Sequence, residues 1–227
     1  RGFAKDMSQD YEGAIADYSK AIELQSKTIQ NVDSHSRKSW DAIPYNNRGN
    51  AKSKLEDYYG AIADYTRAIE INPSYDNAYY NRGFAKDMSQ DYEGAIADYT
   101  KAIEINPRYA MAFSNRGLIK SKLEDHEGAI ADYSKTIEID PTFNDAYYNR
   151  GNSKRQLGDY YGAIADFSKA IEINPSDSEA YTNRGHVKEI IGDKKDACED
   201  IKKAIQLGNE TIKNWFQTDR ASWCRNM

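Results

Sequence analysis

The dipeptide Arg-Gly recurs at Arg48-Gly49, Arg82-Gly83, Arg116-Gly117, Arg150-Gly151 and Arg184-Gly185, a step of 34 residues each time. Ala61, Ala95, Ala129, Ala163 and Ala197 keep the same step, as do Asp64, Asp98, Asp132, Asp166 and Asp200. Pro73, Pro107, Pro141 and Pro175 close four of the units. A fixed period of this size means a repeated supersecondary element that cannot bury its apolar face alone, so neighbours must stack to share an interior. An earlier copy opens the chain: residues 1–25 match 82–106 except at Ser19, Leu24 and Gln25. Arg1 and Arg48 lie 47 apart, so 13 additional residues separate the first copy from the second.

Within the unit 76–109, Ala95, Ile96, Tyr99, Ala102 and Ile103 form an apolar stripe at helical spacing. The spacing predicts two antiparallel helices, helix A from about Asp76 to Ser89 and helix B from about Tyr92 to Ile105. Asp91 stands where an N-cap would. Asn106-Pro107 stops helix B, because a residue before proline is pushed out of the α region. Gly83 lies inside helix A, where glycine costs about 1 kcal/mol relative to alanine. Its recurrence implies a close approach of the two helices, with Ala95 as the facing residue. Arg82 and Asp98 recur together and are expected to pair between helices A and B, the arginine stem covering apolar surface. The other reading is two separately solvated charges.

Composition narrows the function. With 36 acidic and 31 basic residues the net charge is −5, and a general nucleic-acid binder needs the opposite surplus. No stretch approaches the roughly 18 apolar residues of a membrane span. Cys198 and Cys224 form no CxxC, and no disulfide framework or zinc motif is expected from them. The recurring Asp57, Asp91, Asp125, Asp159 and Asp193 fall at helix starts and read as caps rather than catalytic carboxylates. His126 and His186 read as substitutions on a surface or groove. No Ser-His-Asp set, phosphate-binding glycine loop or metal cluster is visible, so no enzyme, cofactor or metal site is expected. The chain begins at Arg1, inside a repeat, so an upstream segment is expected and a cytoplasmic location is the working expectation.

The 34-residue pattern resembles the tetratricopeptide repeat, whose motif places Trp, Leu, Gly, Tyr, Ala, Phe and Pro at set intervals. In the unit 76–109 the matching residues are Tyr79, Gly83, Ala95, Tyr99, Ala102 and Pro107, while Arg82 and Lys86 depart from it. The resemblance covers 1–25 and 42–211. It implies an all-α fold: a right-handed α-solenoid, or superhelix, of antiparallel helix-turn-helix units. Those units are 42–75, 76–109, 110–143, 144–177 and a divergent 178–211. Residues 1–25 supply the end of a helix A plus a helix B, 26–41 an insertion or extended linker, and 210–227 a C-terminal capping helix.

The resemblance also implies a function, a non-catalytic scaffold that binds a peptide or protein segment in a concave groove lined mainly by helix A. The implied groove residues are Asn47, Asn50, Tyr80, Asn81, Phe84, Met88, Met111, Asn115, Leu118, Lys122, Tyr148, Asn149, Asn152, Arg155 and Asn183. Asn47, Asn81, Asn115, Asn149 and Asn183 occupy one slot, like the asparagine ladder of peptide-binding relatives. Such amides either grip a peptide backbone or bond to the neighbouring repeat. Tyr80, Phe84, Met88, Met111 and Leu118 suit adaptable apolar recognition, unless curvature or self-association buries them. The slots of the carboxylate clamp hold Asn46, Asn77, Tyr80, Met111 and Ser114, so acidic C-terminal tails are disfavoured. A self-assembling structural module is the alternative function. RNA binding through the row Lys52, Lys86, Lys120, Lys154 and Lys188 ranks below it.

Two segments break the pattern. Ser26 replaces the proline that would stop a helix B, so that helix is expected to run on, with Ile29, Val32 and Trp40 folding back onto the array. The insertion reads as a tolerated one or as a functional loop. Residues 210–224 read as one extra helix carrying Ile212, Trp215, Phe216 and Trp223, a cap for the terminal repeat.

Overall fold

A computed structural model describes residues 10–28, 34–218 and 221–225, with side chains over 10–25, 41–218 and 221–225. Among the described residues there are thirteen helices and no strand. They are α1 (Tyr11–Thr28), α2 (Ser34–Lys54), α3 (Tyr58–Ile71), α4 (Asp76–Met88), α5 (Tyr92–Ile105), α6 (Ala110–Lys122) and α7 (His126–Ile139). The chain continues with α8 (Asn144–Gln156), α9 (Tyr160–Ile173), α10 (Ser178–Ile190), α11 (Lys194–Gln206), α12 (Glu210–Phe216) and α13 (Ser222–Arg225). The chain divides into two compact units, 1–116 and 117–227, the division falling inside α6. The fold class is all-α and solenoid-like, each unit being a series of stacked helix hairpins.

Local chemistry sets the helix boundaries. Asp57 and Asp91 in the N-terminal unit accept from the backbone N–H of Gly60 (2.9 Å) and Gly94 (3.0 Å), and Asp125 and Asp159 in the C-terminal unit do the same for Gly128 and Gly162, both at 2.9 Å. Each satisfies one of the four donors that a helix start leaves unpaired. The turn between helices A and B passes through a left-handed residue: Glu56, Gln90 and Glu124 at φ 62°, 67° and 64°, but Gly158 and Gly192 in the later repeats.

Burial follows the repeat. In the N-terminal unit Ala61 and Tyr65 of α3 pack against Ala85 of α4. In the C-terminal unit Ala163 and Phe167 of α9 pack against Val187 of α10. Each interior thus joins helix B of one repeat to helix A of the next, as stacking requires. Tyr65, Tyr99, Tyr133 and Phe167 occupy one slot and are almost wholly buried, each burial stabilising the stack by about 1.5–3 kcal/mol. That slot explains the recurring glycine. A Cβ on Gly83 would lie 3.0 Å from Tyr99 Cε1 and 3.3 Å from the Ala95 carbonyl oxygen. The residue pressing on Gly83 is therefore chiefly Tyr99, one turn further along helix B than the expected Ala95.

The expected pairing of arginine and aspartate is present and is larger than a pair. Arg82 donates from Nε and Nη2 to both oxygens of Asp98 (2.8 and 2.7 Å), and Lys86 Nζ lies 2.8 Å from the same carboxylate. Arg48 and Lys52 converge on Asp64 in the same way, as do Arg150 and Lys154 on Asp166 and Arg184 and Lys188 on Asp200. The remaining Nη1 of Arg82 donates to Thr66 Oγ1 of the preceding helix B (3.0 Å), and Arg150 and Arg184 use Ser134 and Ser168 likewise. One guanidinium therefore ties helix A to its own helix B and to the one before.

The ends differ from expectation. Helix α1 does run on past Gln25, to Thr28, but α2 already begins at Ser34, so both ends of the insertion 26–41 are helical. The helix A tail at 1–9 and the contacts of Ile29, Val32 and Trp40 lie outside the described residues. The single terminal helix expected over 210–224 is two short helices, α12 and α13. Arg225 Nη1 donates to the carbonyl oxygens of Phe216 and Thr218, both at 2.6 Å, capping the end of α12 and turning the chain back. That return carries Cys224 to Cys198, and the two are joined by a disulfide with Cα atoms 5.3 Å apart. The expectation that these cysteines do not pair is corrected: the fold closes a separation of 26 residues that spacing alone does not reveal. Ile212, Trp215, Phe216 and Trp223 pack on Ile201 and Ala204, covering the apolar face of the last repeat.

Candidate functional site

In the N-terminal unit the helices A of two successive repeats, α2 and α4, flank a cavity of about 490 Å³. Asn50, Ser53 and Lys54 line it from α2, and Tyr80, Asn81 and Phe84 from α4. Glu56, Tyr58 and Tyr65 complete the wall. Helix A presents these residues because its opposite face is taken by Ala78, Gly83 and Ala85, which pack inward.

The polar groups of the site are held but not exhausted. Tyr65 donates its hydroxyl to Asn50 Oδ1 (2.8 Å), and Asn81 Nδ2 donates to Asn46 Oδ1 (3.0 Å). Asn115 Nδ2 donates to the hydroxyl oxygens of Tyr80 (3.1 Å) and Tyr99 (3.4 Å). Tyr80 accepts in that bond, which leaves its hydroxyl proton to donate. Burial raises the Tyr80 pKa, opposed by the bond from Asn115, so the phenol remains a donor through the physiological range. Burial drives Tyr65 and Tyr99 up more strongly. The Tyr80 ring is clamped between Tyr109, stacked at 4.9 Å, and Tyr99, tilted at 5.6 Å.

Of the residues expected to form the groove, Asn50, Tyr80, Asn81 and Phe84 share this cavity, and Asn115 supports it through Tyr80. Phe84, Met88 and Met111 are 40%, 47% and 50% exposed. Asn47 is half-buried and accepts from Asn46 Nδ2 at 3.4 Å. In the C-terminal unit Asn183 Nδ2 donates to the Tyr148 hydroxyl (2.7 Å), and Asn152 bonds the same phenol. Leu118 and Lys122 are exposed, while Asn149 and Arg155 are half-buried, the Arg155 Nε without a partner. For Asn81, Asn115 and Asn183 the amide nitrogen reaches the preceding repeat, and the amide oxygen is the group left over. The expectation placed the lining mainly on helix A. It missed Tyr58 and Tyr65, whose signal was the tyrosine at a fixed slot of helix B. The lysine row is not a row of free cations, since each of its five lysines lies 2.8–2.9 Å from an aspartate oxygen.

Repeated helix hairpins with a cleft between successive helices A define a class, the α-helical repeat scaffold. The particular family follows from comparison. The tetratricopeptide repeat profile matches residues 42–75, 77–109, 110–143 and 145–177, and a second tetratricopeptide profile matches 167–199. More than half of the chain is covered, and the chain belongs to the tetratricopeptide repeat family. Comparison with curated proteins returned no match. Among solved structures the chain is similar to YrrB, described as a tetratricopeptide protein with an unusual peptide-binding site, at TM-score 0.71 and 24% identity over 86% of this chain and 94% of that one. It is also similar to MamA, at TM-score 0.69 and 24% identity over 73% and 96%. MamA residues 41 to the end from Desulfovibrio magneticus RS-1 give TM-score 0.70 at 20% identity over 74% and 96%. At these identities the likeness speaks for the fold. Membership of the family makes the chain a protein-interaction scaffold in the general sense. No described helix is long and apolar enough to cross a membrane.

Proposed function

We propose that this scaffold is non-catalytic and holds an extended peptide segment in the cleft between α2 and α4. One observation carries the reading. Its lining combines exposed Phe84 with the unspent Tyr80 hydroxyl proton and the Asn81 amide oxygen, the two polar side chains fixed from behind by bonds to neighbouring repeats. An extended backbone offers alternating carbonyls and N–H groups, which a phenol donor and an amide acceptor match without regard to sequence. Phe84, Met88 and Met111 then select apolar side chains. The peptide-binding site named for YrrB adds support from a similar fold. Leu118, Lys122, Tyr148, Asn149, Asn152, Arg155 and Asn183 are proposed contacts of the same kind in the C-terminal unit, with Asn47 a supporting residue in the N-terminal one.

The test is selection from a displayed library of random peptides, followed by anisotropy with the selected sequence. Phe84→Ala is expected to weaken binding about tenfold or more, as loss of a central aromatic anchor does, and Tyr80→Phe by a smaller factor. Full affinity in both variants would remove the cleft as the site.

A further inference from the structure

The C-terminal unit contains a second cavity, of about 330 Å³, between the last helix A and the cap. Glu179, Thr182 and His186 of α10 line one side, and Asn209 with Thr211, Ile212 and Trp215 line the other. Around Asn209 its hydrogen-bonding groups are one-sided. Buried Asn209 donates from Nδ2 to Glu179 Oε1 (2.9 Å) and Thr182 Oγ1 (3.3 Å), and its Oδ1 accepts from the Ile212 N–H (3.0 Å). The Thr182 hydroxyl donates to the Ser178 carbonyl at 2.8 Å. The donors of Asn209 and Thr182 are thus consumed within the protein, while acceptor capacity remains on the Glu179 carboxylate and the Thr182 oxygen. Buried Ile212 supplies an apolar floor. The Trp215 indole is set edge-to-face with His186 at 5.4 Å, which fixes it as a wall.

We propose that this cavity receives an arginine side chain from a protein partner. A guanidinium brings several donors in a fixed fork, a permanent positive charge for Glu179, and a planar face that an indole attracts. Its aliphatic stem suits the Ile212 floor. An anion would meet the Glu179 carboxylate, and a neutral acceptor would find the Asn209 and Thr182 protons already engaged. The inference goes beyond the peptide cleft: that cleft belongs to the N-terminal unit, so either can fail while the other stands.

The experiment follows the Trp215 indole and His186 ring signals by NMR in the intact chain, titrated with Ac-Gly-Arg-Gly-NH2. The matched citrulline peptide keeps the shape and removes the charge. Saturable shifts with arginine are expected, weaker by about tenfold or more with citrulline and in Glu179→Gln, and diminishing with added salt. The amide introduced by Glu179→Gln retains an oxygen for Asn209, and an unchanged melting temperature would show that the cap is intact. The citrulline comparison decides the matter even if that variant unfolds. Equal binding of citrulline, full affinity in a folded Glu179→Gln, or no movement of Trp215 and His186 with arginine would each overturn the assignment.

Discussion

In the repeat 76–109, Asp98 collects Arg82 at 2.7 Å and Lys86 at 2.8 Å; in the repeat 178–211, Asp200 collects Arg184 at 2.6 Å and Lys188 at 2.9 Å. Asn81 and Asn183 both donate to the repeat before them. The slots proposed for binding have diverged instead: Tyr80, Phe84 and Met88 in one repeat correspond to Thr182, His186 and Ile190 in the other. Beneath Gly83 lies the ring of Tyr99, whereas Gly185 faces Ile201 at the same slot; the alanine carbonyl below, of Ala95 or Ala197, is common to both. The difference separates two demands. Every repeat must tie its helices together and reach its neighbour, so the ion cluster and the small residues recur. The open face is freer to vary, and it is there that the proposed binding sites lie. The last repeat has a further problem, an apolar side with no neighbour, which the disulfide-bound cap solves.

The largest effect is expected from breaking the shared frame. Asp98→Ala leaves Arg82 and Lys86 converging without their carboxylate, at a cost of about 3–5 kcal/mol for a buried partner removed. Asp200→Ala should cost a similar amount, and urea denaturation monitored by circular dichroism measures both. A large cost in one and none in the other would show that the two repeats do not share a frame. Next, Cys198→Ser should remove about 3 kcal/mol by freeing the loop that the disulfide closes. Hydrogen exchange should place that loss in the last repeat and cap, with the helices of the N-terminal unit unchanged. Gly83→Ala should cost about 1–3 kcal/mol through contact with the Tyr99 ring, partly offset by the better helix propensity of alanine; thermal melting reads the net. The smallest effect has the opposite sign. Glu124→Gly relieves a left-handed non-glycine residue where later repeats already use glycine, and should stabilise by about 1 kcal/mol in the same melting assay.

Most of the frame was legible because it is periodic. The boundaries of α5, the capping role of Asp91 and the meeting of Arg82 with Asp98 all follow from a stripe and a step repeated until register was unambiguous. Lys86 as the third member of that cluster was legible in principle, since it lies four residues after Arg82 on the same face of helix A. The rest was hidden for physical reasons. The disulfide depends on a turn after Phe216, fixed by Arg225 bonding to two carbonyls, and no periodic signal encodes that turn. The cleft borrows Tyr65 from helix B because a long phenol reaches past its own interior to Asn50. Sequence spacing reports which face a residue leaves from but not how far its side chain extends.

A chemical-shift footprint of a library-selected peptide on the whole chain tests the division between frame and open face. Shifts are expected at Asn50, Tyr80, Asn81 and Phe84, with the backbone around Arg82 and Asp98 nearly unmoved. Shifts concentrated instead on the exposed positions of helix B, such as Tyr59, Arg67 and Glu70, with the cleft residues silent, would contradict it.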